Sequence, residues 1–321
     1  MPSLKEYGWA LFDQIVAEAP FAGVNPWGNG VYQPDYDTLG RLLGVPLALR
    51  ASSQSGVPAL AFDVWIAYEL RRAGFHPDRV WPRATPPRVL PAAVSALIDS
   101  LPQALRASVE GRLARGLSGG TTGLVANLLG KNYVKQVDVV MSTWQTGPEL
   151  MISTKRMDSS FGKNAANRVE ESYGDAKNLS LRHPQAALGF FYSLRSTAFA
   201  TERDIAIWLL DLLTKLGREE DAYDAVGLVI PEWGLPPADN DDADEDATAL
   251  TIDDLLDPPE SNAPAPADVT LNDLPSVTLR HDLVPEQLSP SRFFTVIIDT
   301  VLGNSPINFH AEARQRRADA Q

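Results

Sequence analysis

The sequence predicts an α/β protein with a central mixed sheet flanked by helices, and three observations carry that prediction. Two β-branched runs, 132–142 (NYVKQVDVVMS) and 149–155 (ELMISTK), flank Thr146-Gly147-Pro148 and read as an antiparallel pair. Two further apolar runs, 186–195 (AALGFFYSLR) and 224–230 (DAVGLVI), suit buried strands. Helical patterns at 162–179 and 201–216 separate them.

In chain order, residues 4–19 read as an amphipathic helix with Leu4, Trp9, Leu11, Phe12, Ile15 and Val16 on its apolar side. Residues 20–37 are rich in turn formers, and a second helix is expected over 36–44, capped by Asp35 or Asp37. From Ser55, apolar positions at Leu60, Phe62, Ile66, Leu70 and Ala73 fall at helical spacing, and Gly74 is placed to end that helix. The proline-rich stretch 76–87 reads as loop, 89–114 as one or two helices, and SGGTTG at 118–123 as a flexible turn. The helix at 162–179 carries Ala165, Val169, Tyr173 and Ala176 as its expected apolar side; the helix at 201–216 is capped by Thr201, with Glu202 and Asp204 in its first turn. Beyond about 236 the chain becomes rich in Pro, Ala and acidic residues, and a helical pattern returns at 288–303. The expected organisation is an N-terminal helical segment (1–54), a core (55–235), a flexible acidic linker (236–287) and a C-terminal helical segment (288–321).

The net charge of −13 is unevenly spread. Residues 1–236 hold 23 Lys and Arg against 24 Asp and Glu, whereas residues 237–321 hold 5 against 17. The front of the chain is therefore near neutral, and a neutral domain can still present a basic face to nucleic acid. The acidic stretch reads either as a solvated linker or as a phosphate mimic that covers a basic cleft. With no cysteine, disulfides, thiolate nucleophiles and cysteine-ligated metals are excluded. No uncharged apolar run approaches the roughly 20 residues that span a bilayer. The start of the chain has no secretory pattern, so a soluble, cytoplasmic protein is expected.

Several catalytic patterns fail. SGGTTGLVANLLGKN has the wrong glycine spacing for a phosphate loop, and Asn132 follows Lys131 where a hydroxyl is required. His76, His183, His281 and His310 are scattered, and no G-x-S-x-G elbow is present. What remains is the block 133–183. Asp138 lies within the apolar run Val137-Asp138-Val139-Val140, where a carboxylate is costly to bury unless it meets a cation or a donor. The next strand ends in Ser153-Thr154-Lys155, and the following helix carries Glu170 and Glu171. A strand acid, a lysine on the neighbouring strand and a helix acid can converge on one sheet edge. Two carboxylates would hold Mg²⁺ through oxygen, and the lysine would orient water or stabilise developing charge.

This block, within residues 55–195, resembles the PD-(D/E)xK nuclease superfamily, which includes most type II restriction endonucleases. Asp138 matches the acid that ends one strand, with Val137 in place of proline, and Lys155 matches the lysine on its hairpin partner. Ser153 stands where the second acid belongs. Some members carry serine there and supply the missing carboxylate from the following helix; Glu170, fifteen residues after Lys155, is near that spacing and is preferred over Glu171. The helix from Ser55 matches the superfamily's first helix, which commonly carries an acid near the metal, here Asp63 or Glu69. Ser153 either holds a water at the metal or fills space. Lys163, Arg168, Lys177, Arg182 and His183 are expected phosphate contacts, and Gln185 a base or phosphate contact or a helix cap.

The resemblance implies a restriction-endonuclease-like core that hydrolyses double-stranded DNA with Mg²⁺ held by Asp138 and Glu170 and water oriented by Lys155, working as a homodimer. Alternatives are a catalytically inactive DNA-binding module of the same fold, a nuclease acting on RNA or on damaged or branched DNA, and an interaction protein whose helices at 89–114 and 288–303 dock a partner. Residue spacing alone leaves these open.

Overall fold

The computed structural model describes residues 3–114, 125–234 and 269–320. The expected turn at 118–123 and most of the acidic stretch lie outside those residues. The described elements are α1 (Leu4–Ala17), β1 (Trp27–Gly28), β2 (Val31–Tyr32), α2 (Tyr36–Ala48), α3 (Val57–Arg72), β3 (Val80–Trp81), α4 (Ala92–Asp99) and α5 (Gln103–Ala114). After them come β4 (Ala126–Leu129), β5 (Val134–Val137), β6 (Val139–Thr143), β7 (Gly147–Met157), α6 (Phe161–Ser180) and β8 (Ala187–Leu194). The chain continues through α7 (Ala198–Thr201), α8 (Arg203–Leu216), β9 (Ala225–Val229), β10 (Pro231–Glu232) and β11 (Thr278–Leu279) to α9 (Pro290–Asn304) and α10 (Ala311–Ala318).

Five strands form the central sheet in the order β3-β6-β7-β8-β9. β6 runs antiparallel to β3 and β7, whereas β8 and β9 run parallel to β7, so the sheet is mixed. The parallel side explains why β8 is buried at every position: helices cover both of its faces, and a strand in that setting reads as a continuous apolar run. On one face, Val139, Met141, Leu150, Ile152 and Phe191 pack with α1, α2, α3 and α9. On the other, Val140, Met151, Leu188, Phe190, Tyr192 and Leu228 pack with α6 and α8.

Two elements differ from the sequence expectation for physical reasons. The single strand expected over 132–142 is broken at Asp138: β5 leaves the sheet and pairs with β4, while β6 begins at Val139. Within the stretch expected as loop, Val80-Trp81 forms an edge strand on β6, ended by Pro82, which has no N–H to continue a ladder.

The terminal segments share the central core. Phe293, Phe294, Ile297 and Ile298 of α9 are fully buried against the sheet and α3. The rings of Phe293 and Phe191 meet edge to face at 5.2 Å. Part of the stretch expected as flexible linker is also packed: β11 pairs with β10, and the Tyr7 hydroxyl donates to the Val269 carbonyl at 2.8 Å. Beyond α9, His310 bonds Glu149 at the start of β7 at 2.5 Å, and α10 crosses so close to Gly74 (φ +98°) that a Cβ there would sit 2.8 Å from the Ala313 nitrogen.

Two aromatic rings pack tightly under α9. A Cβ on Gly227 would stand 2.6 and 2.7 Å from the Phe191 ring and 2.9 Å from Phe293. Gly227→Ala is therefore expected to destabilise the protein by about 1–3 kcal/mol through overpacking, seen as a lower urea midpoint; an unchanged midpoint would show that the rings can move aside.

Candidate active site

The break at Asp138 creates a fork. β6 pairs with β7 only as far as Val139 opposite Ile152, so the next outward-facing amide on β7, that of Thr154, has no strand partner on that side. The Asp138 carboxylate takes that place, accepting from the Thr154 N–H at 2.7 Å. The Thr154 hydroxyl donates in turn to Asp63 Oδ1 on α3, also at 2.7 Å. One threonine thus joins a carboxylate from the strand break to a carboxylate from the buried helix.

Asp63 is buried, and its carboxyl is raised well above the usual carboxylate range, first by burial and then by the Asp138 charge; the Thr154 bond and the Lys5 ammonium oppose the rise. With Asp63 buried and Asp138 half-buried, two carboxylates brought this close are suited to a cation. The donor set fits Mg²⁺, which takes one or two carboxylates and completes its shell with water and substrate oxygens. Among the described residues there is no cluster of three or more Asp, Glu, His or Cys able to hold a metal.

On the other face of β7, Ser153 and Lys155 share the side that holds Met151 and Met157 against α6 and α8. Ser153 bonds to the buried Tyr223 hydroxyl, which itself donates to the Ser172 carbonyl at 2.8 Å. Burial raises the Tyr223 hydroxyl, with the Asp175 and Asp138 charges adding to the effect, so it stays protonated. Lys155 is half-buried near the end of β7. The Lys135 ammonium, on β5, meets Asp175 at 2.5 Å and Glu171 at 3.5 Å, and also interacts with Asp138. Despite burial, these acids hold Lys135 above its ordinary range.

Several expected site residues lie elsewhere. Glu170 is exposed on α6. The buried side of α6 runs through Ala165, Val169, Ser172, Ala176 and Leu179, while Tyr173 is 38% exposed and its hydroxyl bonds Asp221. That rotation turns Glu170 away from the sheet, and Glu171 and Asp175 are the acids of this helix that reach the β5 side of the fork. Glu69 is not at the fork either. It is fully buried in its own network, accepting from Tyr32 Oη at 2.8 Å, from the Asp35 N–H at 2.7 Å and from Arg72 at 2.6 Å. Burial pushes Glu69 up to about 7 against the pull of Arg72 and those donors.

The expected phosphate contacts divide along α6, which spans about 30 Å and returns the chain from the end of β7 to the start of β8. Arg168 belongs to the fork end, donating to the Arg156 carbonyl at 3.2 Å. The Lys163 side chain lies outside the described residues. Lys177 pairs with Asp221, and His183 Nε2 contacts the Leu129 carbonyl at 3.0 Å. Arg182 and Gln185 are exposed just before β8, at the end of the sheet away from Lys155. Those four form no common surface with Asp138. Thr154, Tyr223 and Lys135, none of them expected as site residues, surround the fork instead. The alternation of β7 could have flagged Thr154, which sits between two expected site residues.

Comparison with protein-family models, curated proteins and solved structures returns no match. Among the described residues, no helix is long and apolar enough to cross a membrane.

The raised Asp63 carboxyl gives a stability prediction. A carboxyl raised in the fold stabilises it most below the ordinary carboxylate range, and that contribution is lost as pH rises through the folded value. Metal-free protein in EDTA should therefore lose stability as pH rises above that range. Asp63→Asn keeps the Oδ1 acceptor for Thr154 and should flatten the slope. At the upper end it should melt higher than the wild type by about 2–4 °C, the equivalent of about 1 kcal/mol. Parallel melting curves for the two proteins across pH would refute the carboxylate strain.

Proposed function

We propose that the protein is a Mg²⁺-dependent nuclease of the PD-(D/E)xK kind, acting on DNA, with its centre at the fork between β6 and β7. The observation that carries this reading is the junction at Thr154. An acid at a strand break and an acid from the first core helix meet there. The next residue of the hairpin partner, Lys155, projects from the opposite face of β7, the side on which Asp138 also interacts with Lys135. The mixed sheet flanked by helices is consistent with a restriction-endonuclease-like core. In this reading the second carboxylate comes from Asp63, not from Glu170.

Asp138 and Asp63 would hold the metal, which supplies Lewis-acid polarisation of the scissile phosphate when bound. Thr154 fixes the spacing of the two carboxylates, so little reorganisation is needed when a cation arrives. Lys155 offers an ammonium to the attacking water and to the negative charge that grows on the phosphate. Tyr223 and Ser153 keep a protonated, hydrogen-bonded wall behind Lys155. The same reading pairs two copies on one duplex, since one centre hydrolyses one strand.

A second reading, a nucleic-acid-binding module that does not cut, is favoured by Ser153, which meets Tyr223 where a third carboxylate would stand.

Incubating duplex DNA with the protein in Mg²⁺ and in EDTA separates the two. Mg²⁺-dependent cleavage is expected, falling about 10²–10³-fold in Lys155→Ala, as for loss of one transition-state donor. Asp138→Asn and Asp63→Asn should abolish it, while Glu170→Gln keeps near wild-type rates. DNA that is bound and left intact would establish the non-cutting module, and RNA or branched substrates cut in preference would redirect the substrate class.

A further inference from the structure

Two residues beyond Thr154 on the same side of β7 lies Arg156, paired in register with Ser193 of β8. The ladder continues past the strands: the Arg195 N–H donates to the Met157 carbonyl at 3.0 Å, and the Ser196 N–H to the Pro231 carbonyl at 3.0 Å. These bonds carry Arg195 and Trp233 to the same corner of the sheet. The Arg195 guanidinium stands 4.3 Å from the centre of the Trp233 ring, and that of Arg156 stands 5.8 Å from it. Arg195 is buried, and Arg156 is 14% exposed and paired with Asp158. Arg168 adds a third guanidinium through its bond to the Arg156 carbonyl.

The hydrogen-bond balance of this corner is uneven. Ser193 is 1% exposed, and its hydroxyl has no partner; the buried indole N–H of Trp233 has none either. Buried polar groups in folded proteins are almost always satisfied. Here Ser193 and Trp233 leave buried donors unmatched beside two guanidinium groups, and Asp158, whose Oδ1 is also unmatched, is the carboxylate among them. That donor excess is what a tetrahedral oxyanion with several acceptor oxygens would satisfy, with guanidinium forks giving the charged bonds. Burial lowers the Arg195 pKa, against the pull of Asp158 and with the Arg156 charge adding to the fall.

We propose that Arg156, Arg195, Ser193 and Trp233 form a subsite for a backbone phosphate of the nucleic-acid strand, adjacent to the position cut at the fork. The proposal rests on the nuclease reading for the identity of the strand. Along β7, Arg156 lies about 6.6 Å beyond Thr154, on the scale of one nucleotide step. The subsite would hold the strand in register while leaving the bases unread, as phosphate contacts do.

The test uses the full chain, a labelled DNA duplex and a potassium chloride series in EDTA, so that binding is read without cutting. Arg156→Gln should weaken binding and reduce the slope of log affinity against log salt by about 0.9, the signature of one lost phosphate contact. Ser193→Ala and Trp233→Phe remove one uncharged donor each; they should weaken binding about two- to tenfold and leave the slope unchanged. Melting curves confirm that each variant is folded. An Arg156→Gln protein with wild-type affinity and slope overturns the subsite while leaving Mg²⁺-dependent cleavage, and so the nuclease reading, intact. If the wild type neither binds nor cuts nucleic acid, the nuclease reading falls, and inorganic phosphate decides the subsite alone. Titrated at constant ionic strength, phosphate that changes tryptophan fluorescence in the wild type but not in Arg156→Gln supports a site for the free anion. No response in the wild type overturns the site altogether.

Discussion

The carboxylate of Asp138 stands in for a strand. Where β6 stops, the Thr154 amide would be left at the open edge of β7 without a strand partner, and an unpaired amide away from water carries a penalty comparable to a lost hydrogen bond. Asp138 satisfies it at 2.7 Å, and in doing so fixes the point at which β5 departs to join β4. The rest of the site depends on that substitution. It sets where the fork opens, it leaves the Thr154 hydroxyl to reach Asp63, and it places the acid within range of Asp63 on one side of the sheet and of Lys135 and Tyr223 on the other.

The helix α3 supplies the other half. It is buried along most of its circumference, as expected for a helix sealed between a sheet and a second helical layer. Such a helix carries acids only where they are answered. Glu69 is answered completely, by Arg72, Tyr32 and the Asp35 amide, and serves to tie α3 to the β2–α2 connection. Asp63 is answered by Thr154 and opposed by Asp138. Two buried carboxylates six residues apart on one helix therefore have opposite characters: one closes a structural network, the other faces a like charge.

Much of the fold was legible because its signals are local. Periodicity placed α1, α3, α6 and α8, and the apolar runs placed β8 and β9. The fork was not legible, because a strand and its break share the same β-branched composition; only the pairing partner differs. The choice between Asp63 and Glu69 turned on distant residues, Thr154 for one and Tyr32 with Asp35 for the other. Glu170 adjoins the expected Val169/Tyr173 stripe, yet it lies exposed on α6. A tyrosine counted as buried shifts the apparent apolar stripe, whereas this ring lies at the surface with its hydroxyl on Asp221. Arg156 and Arg195 gave no signal at all, since a basic residue at a strand end is ordinary until a neighbouring strand brings a second one beside it.

The burial of α9 has a consequence for how the protein is made. Phe293 and Phe294 complete the core over β8 and β9, and His310 and α10 close over Glu149 and Gly74. These contacts join residues 293–313 to elements about 65 to 240 residues earlier, so a nascent chain on the ribosome holds an open sheet until α9 and α10 have emerged. Contacts of such long sequence separation form late and leave apolar surface exposed in the meantime. In the nuclease reading, that order of assembly delays a settled fork, and with it any reactivity toward nucleic acid, until α9 and α10 have been made.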